Sequence, residues 1–380
     1  MTVARFLDIH LLQTVPYANL NRDDLGSPKD LIYGGVTRTR VSSQCWKRAV
    51  RLAVEERLGD PALRTRRIVT AVRDRLVEAG WPADLAVQAG RQVVLSAGAD
   101  GLKVDEKNDN NTSVLLYVPA SAVGGLAELA EAHRADIEAS VEKPKKSKKG
   151  DKAGGVLPAD QVNALLSGRN GIINLFGRML AELPSANVDG AVQVAHAFTT
   201  HPVETQVDFF TAVDDVPGPD HGSAHMNAGE FSAGVFYRYA CVDLADLTRN
   251  LGGDTAQAIE LAGLFTEAFI TAIPQAKRTA TAPHTVPDLV HLAVRADRPL
   301  SLAAAFERPV SGGTAGYAER SRRRLSEYAT RVHRLLGDGG LVHSAHASID
   351  DAPVPGIGER RESFAELVDG ALTAVAGARQ

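Results

Sequence analysis

The chain has 380 residues, of which 44% are hydrophobic and 23% charged, and its formal net charge is −4. This length can bury a large core and suggests two or three structural units. Two cysteines far apart in sequence exclude a disulfide framework and fit a reducing compartment. Because we find neither a secretory start nor an apolar run of about 18 residues, we expect a cytoplasmic protein.

Charge is distributed unevenly along the chain. Residues 29–75 contain twelve Lys or Arg against five Asp or Glu, whereas residues 199–260 contain ten acidic residues and two basic ones. A basic segment can bind a polyanion, and an acidic segment of a second copy can pair with it. Ordinary scatter of surface charge is the alternative explanation.

The first elements are predicted from hydrophobic periodicity. Residues 3–15 alternate with period two and predict a strand, which is followed by a polar loop over 19–29. Ser42 or Ser43 caps a helix that ends near Leu58. The buried stripe of this helix is predicted to contain Trp46, Val50, Ala53 and Val54.

The rest of the chain predicts helices and strands in mixed order. Residues 60–140 read as mostly helical with a polar break at 100–112, and the lysine-rich stretch 142–155 as a disordered loop. Further on we predict a helix from Asp189, strands at 206–216 and 230–242 around a loop at 217–229, and helices at 255–273, 317–336 and 360–378. This order indicates an α+β fold with an antiparallel sheet.

The helix that begins near Ser42 carries the clearest candidate site. Gln44, Lys47 and Arg51 are spaced i, i+3 and i+7, so a helix aligns them on one face, opposite the buried stripe. Ser42 and Ser43 lie at the helix N-terminus, where free amides and the helix dipole favour an anion. Together they predict a clamp for a phosphate backbone. An ordinary capped, solvated amphipathic helix explains the same pattern equally well.

Further cations lie just upstream of this helix, around the Gly34-Gly35 turn. They are Arg22, Lys29, Arg38 and Arg40, and a glycine pair lets a backbone approach a ligand closely, although it also forms any hairpin. Lysines of the 142–155 stretch (Lys143, Lys145, Lys146, Lys148 and Lys149) could touch a DNA backbone through charge alone.

No residue pattern predicts a catalytic or metal site. Asp23 and Asp24 could hold a divalent metal for RNA cleavage, but turn polarity is the commoner reason for such a pair. His221 and His225 have the spacing of a zinc pair without a third ligand nearby. We therefore expect no enzyme activity, no cofactor and no bound metal.

Several sequence blocks resemble the CasC family, the crRNA-binding backbone subunits of the type I-E CRISPR Cascade complex. The blocks are IHLLQTVPYANLNRDD (9–24), KDLIYGGVTRTRVSSQCWKRAVR (29–51), LFGRML (175–180), NVDGAVQVAHAFTTH (187–201), DFFTAVDD (208–215) and GSAHMNAGEFSAGVFYRYA (222–240). They occur in the family's order over most of the first 275 residues, and the resemblance is looser after about residue 285.

The resemblance implies a hand-shaped α+β fold. An RRM-like (ferredoxin-like) palm with an antiparallel sheet would comprise 1–59, 181–200 (including a helix over 187–200) and 227–380. A helical fingers insertion would span 60–180, with its disordered loop at 142–155, and a protruding thumb loop would span 201–226.

The resemblance also implies a function. Several copies would form a helical filament along one crRNA, each thumb displacing one base so that the guide can pair with target DNA in antiviral defence. Family members grip the guide backbone with residues matching Lys29, Ser42, Gln44, Lys47 and Arg51, and pack against bases with residues matching Met179 and Phe210; Thr211 and Ser43 adjoin these positions. The remaining partners would be the large, small, cap and guide-processing Cascade subunits.

Two other functions remain open on sequence grounds. Related type III backbone subunits cleave RNA with an Asp in the loop after the first strand, the region of Asp23 and Asp24. A stand-alone RRM-like RNA-binding protein is the second alternative, although the usual aromatic signature of that class is missing.

Overall fold

We describe a computed structural model of the chain. The structure describes residues 3–97, 102–105, 107–142, 155–180, 183–213, 223–313, 316–337 and 339–378. The lysine-rich stretch predicted to be disordered falls almost entirely outside these ranges. Within them, every helix is too short or too polar to cross a bilayer.

The elements are numbered in chain order. The strands are β1 (Phe6–Ala18), β2 (Asp30–Tyr33), β3 (Val36–Val41), β4 (Ala62–Thr65), β5 (Val104–Asp105), β6 (Asn111–Thr112), β7 (Leu116–Pro119), β8 (Val192–Val194), β9 (Ala197–Thr199), β10 (Gln206–Val213), β11 (Ser223–Asp243), β12 (Leu289–Arg295), β13 (Leu341–Ser348) and β14 (Glu359–Arg360). The helices are α1 (Ser43–Leu58), α2 (Ile68–Glu78), α3 (Ala83–Ser96), α4 (Ser121–Ala132), α5 (Arg134–Glu142), α6 (Ala159–Ser167), α7 (Gly171–Phe176), α8 (Leu244–Asn250), α9 (Thr255–Thr271), α10 (Arg278–Thr281), α11 (Ala318–Leu336) and α12 (Phe364–Gly377).

The chain divides into two compact units. The first comprises residues 1–54 and 192–380, and the second comprises residues 55–191. The helical insertion predicted from the sequence covered 60–180. The division into palm, fingers and thumb stays a prediction.

A large mixed sheet forms the centre of the first unit. Its strand order is β14-β13-β12-β1-β11-β9-β3-β2, and both β8 and β10 pair with β11. The pairings are antiparallel except that of β13 with β14, which is parallel. The α+β prediction is confirmed, whereas the purely antiparallel sheet is wrong at this one edge.

Strand β1 is buried on both faces, although one face also carries the polar side chains of Asp8 and His10. Leu7, Ile9 and Leu11 are fully buried on one face. On the other face Leu12 joins a core with Leu325 of α11, among other residues. Central strands covered on both sides lose the exposed positions of a half-buried strand, and β1 is buried in this way from Phe6 to Gln13.

The helix predicted from Asp189 is wrong. Residues Val192–Val194 and Ala197–Thr199 form strands β8 and β9, which pair with β11 at Val192↔Val242 and Phe198↔Tyr237. Ladder pairing to a neighbouring strand satisfies the backbone here, and tertiary pairing of this kind overrides a helical periodicity of only a few residues. The loop predicted over 217–229 is also corrected, since 223–229 already belong to β11.

The second unit has a core of its own. Helices α2, α3, α4, α5 and α6 contribute apolar side chains to a single buried cluster. Beneath it, the guanidinium of Arg178 donates to five backbone carbonyls, among them those of Leu166 and Ser167 at the end of α6. Burial lowers the pKa of Arg178 to about 10. Its guanidinium donates hydrogen bonds to carbonyls that have no partner within the helix at the C-terminus of α6.

Two buried histidines at the centre of the sheet make folding sensitive to acid. The rings of His10 and His291 stack 5.1 Å apart, and burial lowers the pKa of both, that of His291 to about 3. An unfolded histidine titrates near pH 6.5, so the unfolded chain binds more protons below that pH and stability falls as the pH drops. Asp8 opposes this in part, because burial raises its pKa to about 6.

We therefore expect the free energy of unfolding to decrease between about pH 7.5 and about pH 5, since two histidines outweigh one carboxylate. Urea unfolding at both pH values measures the effect. The variant His291→Phe should reduce the decrease, whereas His284→Phe, at an exposed position, should leave it unchanged. An identical pH dependence in wild type and His291→Phe would contradict the assignment.

Candidate nucleic-acid interface

Helix α1 begins where the sequence predicted, at the serine pair. The Ser42 hydroxyl accepts the N–H of Cys45 at 3.3 Å, as an N-cap does, and the Asn21 side chain accepts the N–H of Ser42 at 2.8 Å. The helix start is therefore tied to the loop that follows β1.

One first-turn amide of α1 is held by a histidine from a distant part of the chain. His196, between β8 and β9, accepts the N–H of Ser43 at 3.2 Å through Nδ1. Burial and the nearby charges of Arg40 and Lys29 lower the pKa of His196, which keeps the ring neutral and able to accept. Within the described residues the backbone N–H of Gln44 has no acceptor. The helix start therefore offers one backbone N–H near the cations Lys29 and Arg40.

The outer face of α1 carries the predicted polar residues. Gln44 is exposed, and Lys47 and Arg51 are partly exposed. On the opposite face Trp46 and Val50 are buried, as the periodicity predicts. The spacing therefore does place Gln44, Lys47 and Arg51 on one accessible side of the helix.

The inner face of α1 is fixed to the sheet by a buried arginine. The guanidinium of Arg238, on β11, lies 3.7 Å from the centre of the Trp46 ring and donates to Gln13 at 2.6 Å and to the Phe269 carbonyl. Burial lowers the pKa of Arg238 to about 9. A cation–π contact in a desolvated site holds the helix in one orientation, and thus positions its outer face.

Two further predicted cations lie beside the start of α1. Lys29 and Arg40 flank the β2–β3 hairpin, where the Arg40 N–H donates to the Lys29 carbonyl at 2.8 Å. The charge of Lys29 acts on both Cys45 and His196. Lys29, Arg40 and the helix start therefore form one electropositive region.

Arg22 lies on the exposed loop next to this region. Together with Asp23 and Cys45, among others, it lines an open cavity of about 540 Å³. Asp23 accepts the N–H groups of Leu25 and Ser27 at 2.9 Å through one carboxylate oxygen. This arrangement is the turn geometry that the sequence favoured for the aspartate pair.

Arg38, one of the cations singled out upstream of α1, does not lie on the surface, and its burial argues against a contact with RNA. The side chain is fully buried and donates to the carbonyls of Tyr33, Thr199, Phe306 and Glu307 at 2.7–3.2 Å. Its guanidinium donates to backbone carbonyls of the β2–β3 hairpin and of the segment around residue 306. Arg38 is therefore a structural residue beneath the electropositive region.

Phe210 and Thr211 lie on a two-stranded ribbon that leaves the sheet. Among the described strands, β10 pairs with the first part of β11 alone, from Gln206↔Phe231 to Val213↔Ser223. Val207, Phe209 and Met226 share one face of this ribbon with Thr211, and Phe210 lies on the other face; all are exposed. Apolar side chains exposed on both faces of an isolated ribbon indicate a surface that another molecule covers.

The remaining predicted residues lie in the second unit or outside the described residues. Met179 belongs to the second unit, where its side chain is 85% exposed. Lys143, Lys145, Lys146, Lys148 and Lys149 lie outside the described residues, as does the candidate zinc ligand His221, and the side chain of His225 is not described. Among the residues the structure does describe, no group of three or more His, Cys, Asp or Glu could hold a metal ion.

Sequence reasoning missed two residues of the region around α1. Arg48 is exposed one turn beyond Gln44, and the i+4 spacing used for its neighbours could have found it. His196 could not be found from local pattern, because the pairing of β9 with β3 brings it to Ser43 across 153 positions.

The chain is similar to a known protein family and to solved structures. A family model described as CT1975-like protein matches residues 7–370. A solved chain of a complex described as "CRISPR RNA-guided surveillance complex, pre-nicking" is 50% identical, with 97% of this chain and 100% of that chain covered and a TM-score of 0.91. Another, described as "CRISPR RNA-guided surveillance complex", is 43% identical, with coverages of 97% and 99% and a TM-score of 0.81. No curated protein sequence matches the chain.

Proposed function

The chain belongs to the family of CT1975-like proteins, and from that premise we propose that it is a non-catalytic backbone subunit of a type I-E CRISPR Cascade complex. In this role it binds a crRNA guide along its phosphate backbone and leaves the bases free for target DNA. The observation that carries the proposal is the 50% identity, over the full length of a solved chain, to part of an RNA-guided surveillance complex.

The geometry around α1 supports a backbone clamp. Lys29 and Arg40 lie beside the open amide of Gln44, and Lys47 and Arg51 follow along the same helix. Cations and helix N-terminal amides recognise phosphate without reading the base. A guide must be held irrespective of its sequence, since the target is recognised by base pairing.

The exposed ribbon of β10 and β11 supports assembly into a filament. Its apolar side chains, with Phe209 72% exposed, suit stacking against a base that is displaced from the row, because stacking tolerates any base. The same ribbon can reach a neighbouring copy, and repetition of one heterologous contact generates a helical array. We assign the thumb to this ribbon.

The strand order supports an RRM-like palm. Strands β12, β1, β11 and β9 are adjacent in that order. In the sequence α1 lies between β1 and β9, and α9 lies between β11 and β12. This βαββαβ succession is that of a ferredoxin-like fold. The second unit would then be the fingers.

A metal-dependent ribonuclease is the competing function. Its candidate ligand Asp23 uses one carboxylate oxygen to hold the turn from Leu25 to Ser27, which favours a structural role. A stand-alone RNA-binding protein is the other alternative, and it predicts one chain per RNA rather than several.

We expect the chain, when co-expressed with a CRISPR array and the neighbouring genes, to purify with one RNA of uniform length and several copies per RNA. Mass photometry and RNA sequencing measure stoichiometry and guide identity. Incubation with complementary RNA and Mg²⁺ should leave that RNA intact. A one-to-one complex would favour the stand-alone protein, and cleavage that Asp23→Asn abolishes would favour the ribonuclease.

A further inference from the structure

The outer face of α11 is strongly basic and lies apart from α1 in the sequence. Arg320, Arg324 and Arg331 are spaced i, i+4 and i+11, which places them within about 40° of one another around the helix, and Glu327 lies on the same stripe. The opposite face, with Leu325 and Ala329, is buried against the sheet. Arg320 and Arg331 are eleven helical steps apart, so the row is about 16 Å long.

Two adjoining cavities follow this row and form what we call the α11 groove. They have volumes of about 550 Å³ and about 400 Å³, and Arg324 and Glu327 line both. Arg323 lines the first cavity, and Arg308 and Arg331 line the second. The two cavities together are lined by five arginines and three glutamates, so the groove has an excess of positive charge.

The cations of the groove are available to a ligand. Within the described residues Arg308, Arg323, Arg324 and Arg331 form no ion pair with a carboxylate, although glutamates line the same cavities. In contrast, Arg322 on the buried side of α11 is paired with Asp350. Unpaired arginines in a row repel one another, and a polyanion relieves that repulsion.

The walls of the groove are formed before any ligand binds. Arg320 donates to the carbonyls of Ser311 and Gly312 at 2.7 Å and 2.5 Å, which holds the 311–313 segment against α11. The N–H of Val310 donates to the carbonyl of Thr200 at 2.9 Å. A preformed site loses little conformational entropy on binding.

We propose that the α11 groove binds the phosphodiester backbone of a single nucleic-acid strand other than the guide. Guanidinium groups match phosphate bidentately, and a linear row suits a chain of regularly spaced charges. An acidic protein is the less suitable occupant, because protein interfaces use aromatic and apolar anchors beside arginine, and the lining of this groove offers few: Val310, which is already buried, and Tyr328, which is half-buried. The proposal rests on the proposed function in one respect, since its ligand is defined as a strand other than the guide.

The test uses the full chain purified with its guide, so that the proposed clamp is already occupied. Binding of a labelled single-stranded DNA without complementarity to the guide is measured by fluorescence anisotropy over a range of KCl concentrations. The variant Arg323→Gln/Arg324→Gln/Arg331→Gln is compared with the charge-matched control Arg249→Gln/Arg298→Gln/Arg361→Gln. The lysine-rich segment is present in all proteins, so its contribution cancels.

We expect the groove variant to bind the DNA about tenfold more weakly at low salt, and the slope of log K against log salt to become shallower by about 2, since each lost phosphate contact contributes about 0.7 on a single strand. The control should keep the wild-type slope. The single variant Arg324→Gln should lie between them, because Arg324 lines both cavities.

Three outcomes would overturn the proposal. The first is an equal slope in the groove variant and the control. The second is loss of the guide from the groove variant, which would make the groove part of the guide site. The third is unchanged DNA binding with lost binding of polyglutamate, which would identify an acidic protein partner. Guide content is measured in the same preparations, so failure of the proposed function is recognised separately.

Discussion

Reversing two charges on the outer face of α1, with Lys47→Glu and Arg51→Glu, is expected to release the guide RNA. Each change removes a cation from the proposed path of the phosphate chain and introduces a negative charge, which repels phosphate. Loss of two phosphate contacts, together with the new repulsion, should weaken binding by about 100-fold or more at physiological salt. The RNA that co-purifies per chain, and filter binding of a labelled guide, measure the loss.

The control for this pair must change the net charge equally. Arg249→Glu with Arg298→Glu does so at exposed positions outside α1. We expect this control to retain the guide with at most a small decrease in affinity. If both double variants lose RNA equally, net charge rather than the α1 face determines binding, and the proposed clamp is wrong.

Truncating the Gln44 side chain tests the same face without a charge change. We expect Gln44→Ala to weaken RNA binding less than the double charge reversal does. The rank order matters because a clamp that holds phosphate depends chiefly on charge, whereas base readout depends on directional side-chain hydrogen bonds. A guide of unrelated sequence should therefore respond to all three variants in the same order.

The parts of the fold that could be predicted are those with a clear single period. Helix α1 was recognisable because its apolar residues recur on one face and a serine caps it, and the structure has both features at Ser42 and Trp46. Helices α9, α11 and α12 also lie close to their predicted ranges.

The parts that could not be predicted depend on long-range pairing. Strand β12 reads LVHLAVR and is buried at every position, so it lacks the alternation that identifies a half-exposed strand. Strands β8 and β9 are only three residues long and exist because β11 pairs with them. No local pattern specifies such partners.

The candidate site divides in the same way. The cations along α1 follow from helical spacing within one segment, whereas the burial of Arg38 is set by residues 161 to 269 positions away. The alternation in TRTR gives both arginines the same local appearance. Only the packing of the 306–307 segment over the hairpin distinguishes Arg38 from Arg40.

This distinction leads to opposite expectations for the two arginines. Arg38→Met removes the hydrogen-bond donor of four backbone carbonyls. The hydrogen bonds to the carbonyls of Thr199 and Phe306 are buried. Burial of the charge lowers the pKa of Arg38, so an apolar replacement recovers some desolvation energy. The free-energy cost of losing several buried hydrogen bonds to a charged group is larger than this gain. We expect the free energy of unfolding to decrease by about 3 kcal/mol.

Arg40→Met is the matched control, one pleat further along the same strand. Its Nε donates to the Asp30 carbonyl at a partly exposed position, so the free energy of unfolding should change by less than about 0.5 kcal/mol, while RNA affinity falls as a phosphate contact is lost. Urea unfolding and filter binding, performed on both variants, separate the two roles. If Arg38→Met were as stable as wild type and lost RNA instead, Arg38 would be a ligand of the phosphate chain and its buried position here would be incorrect.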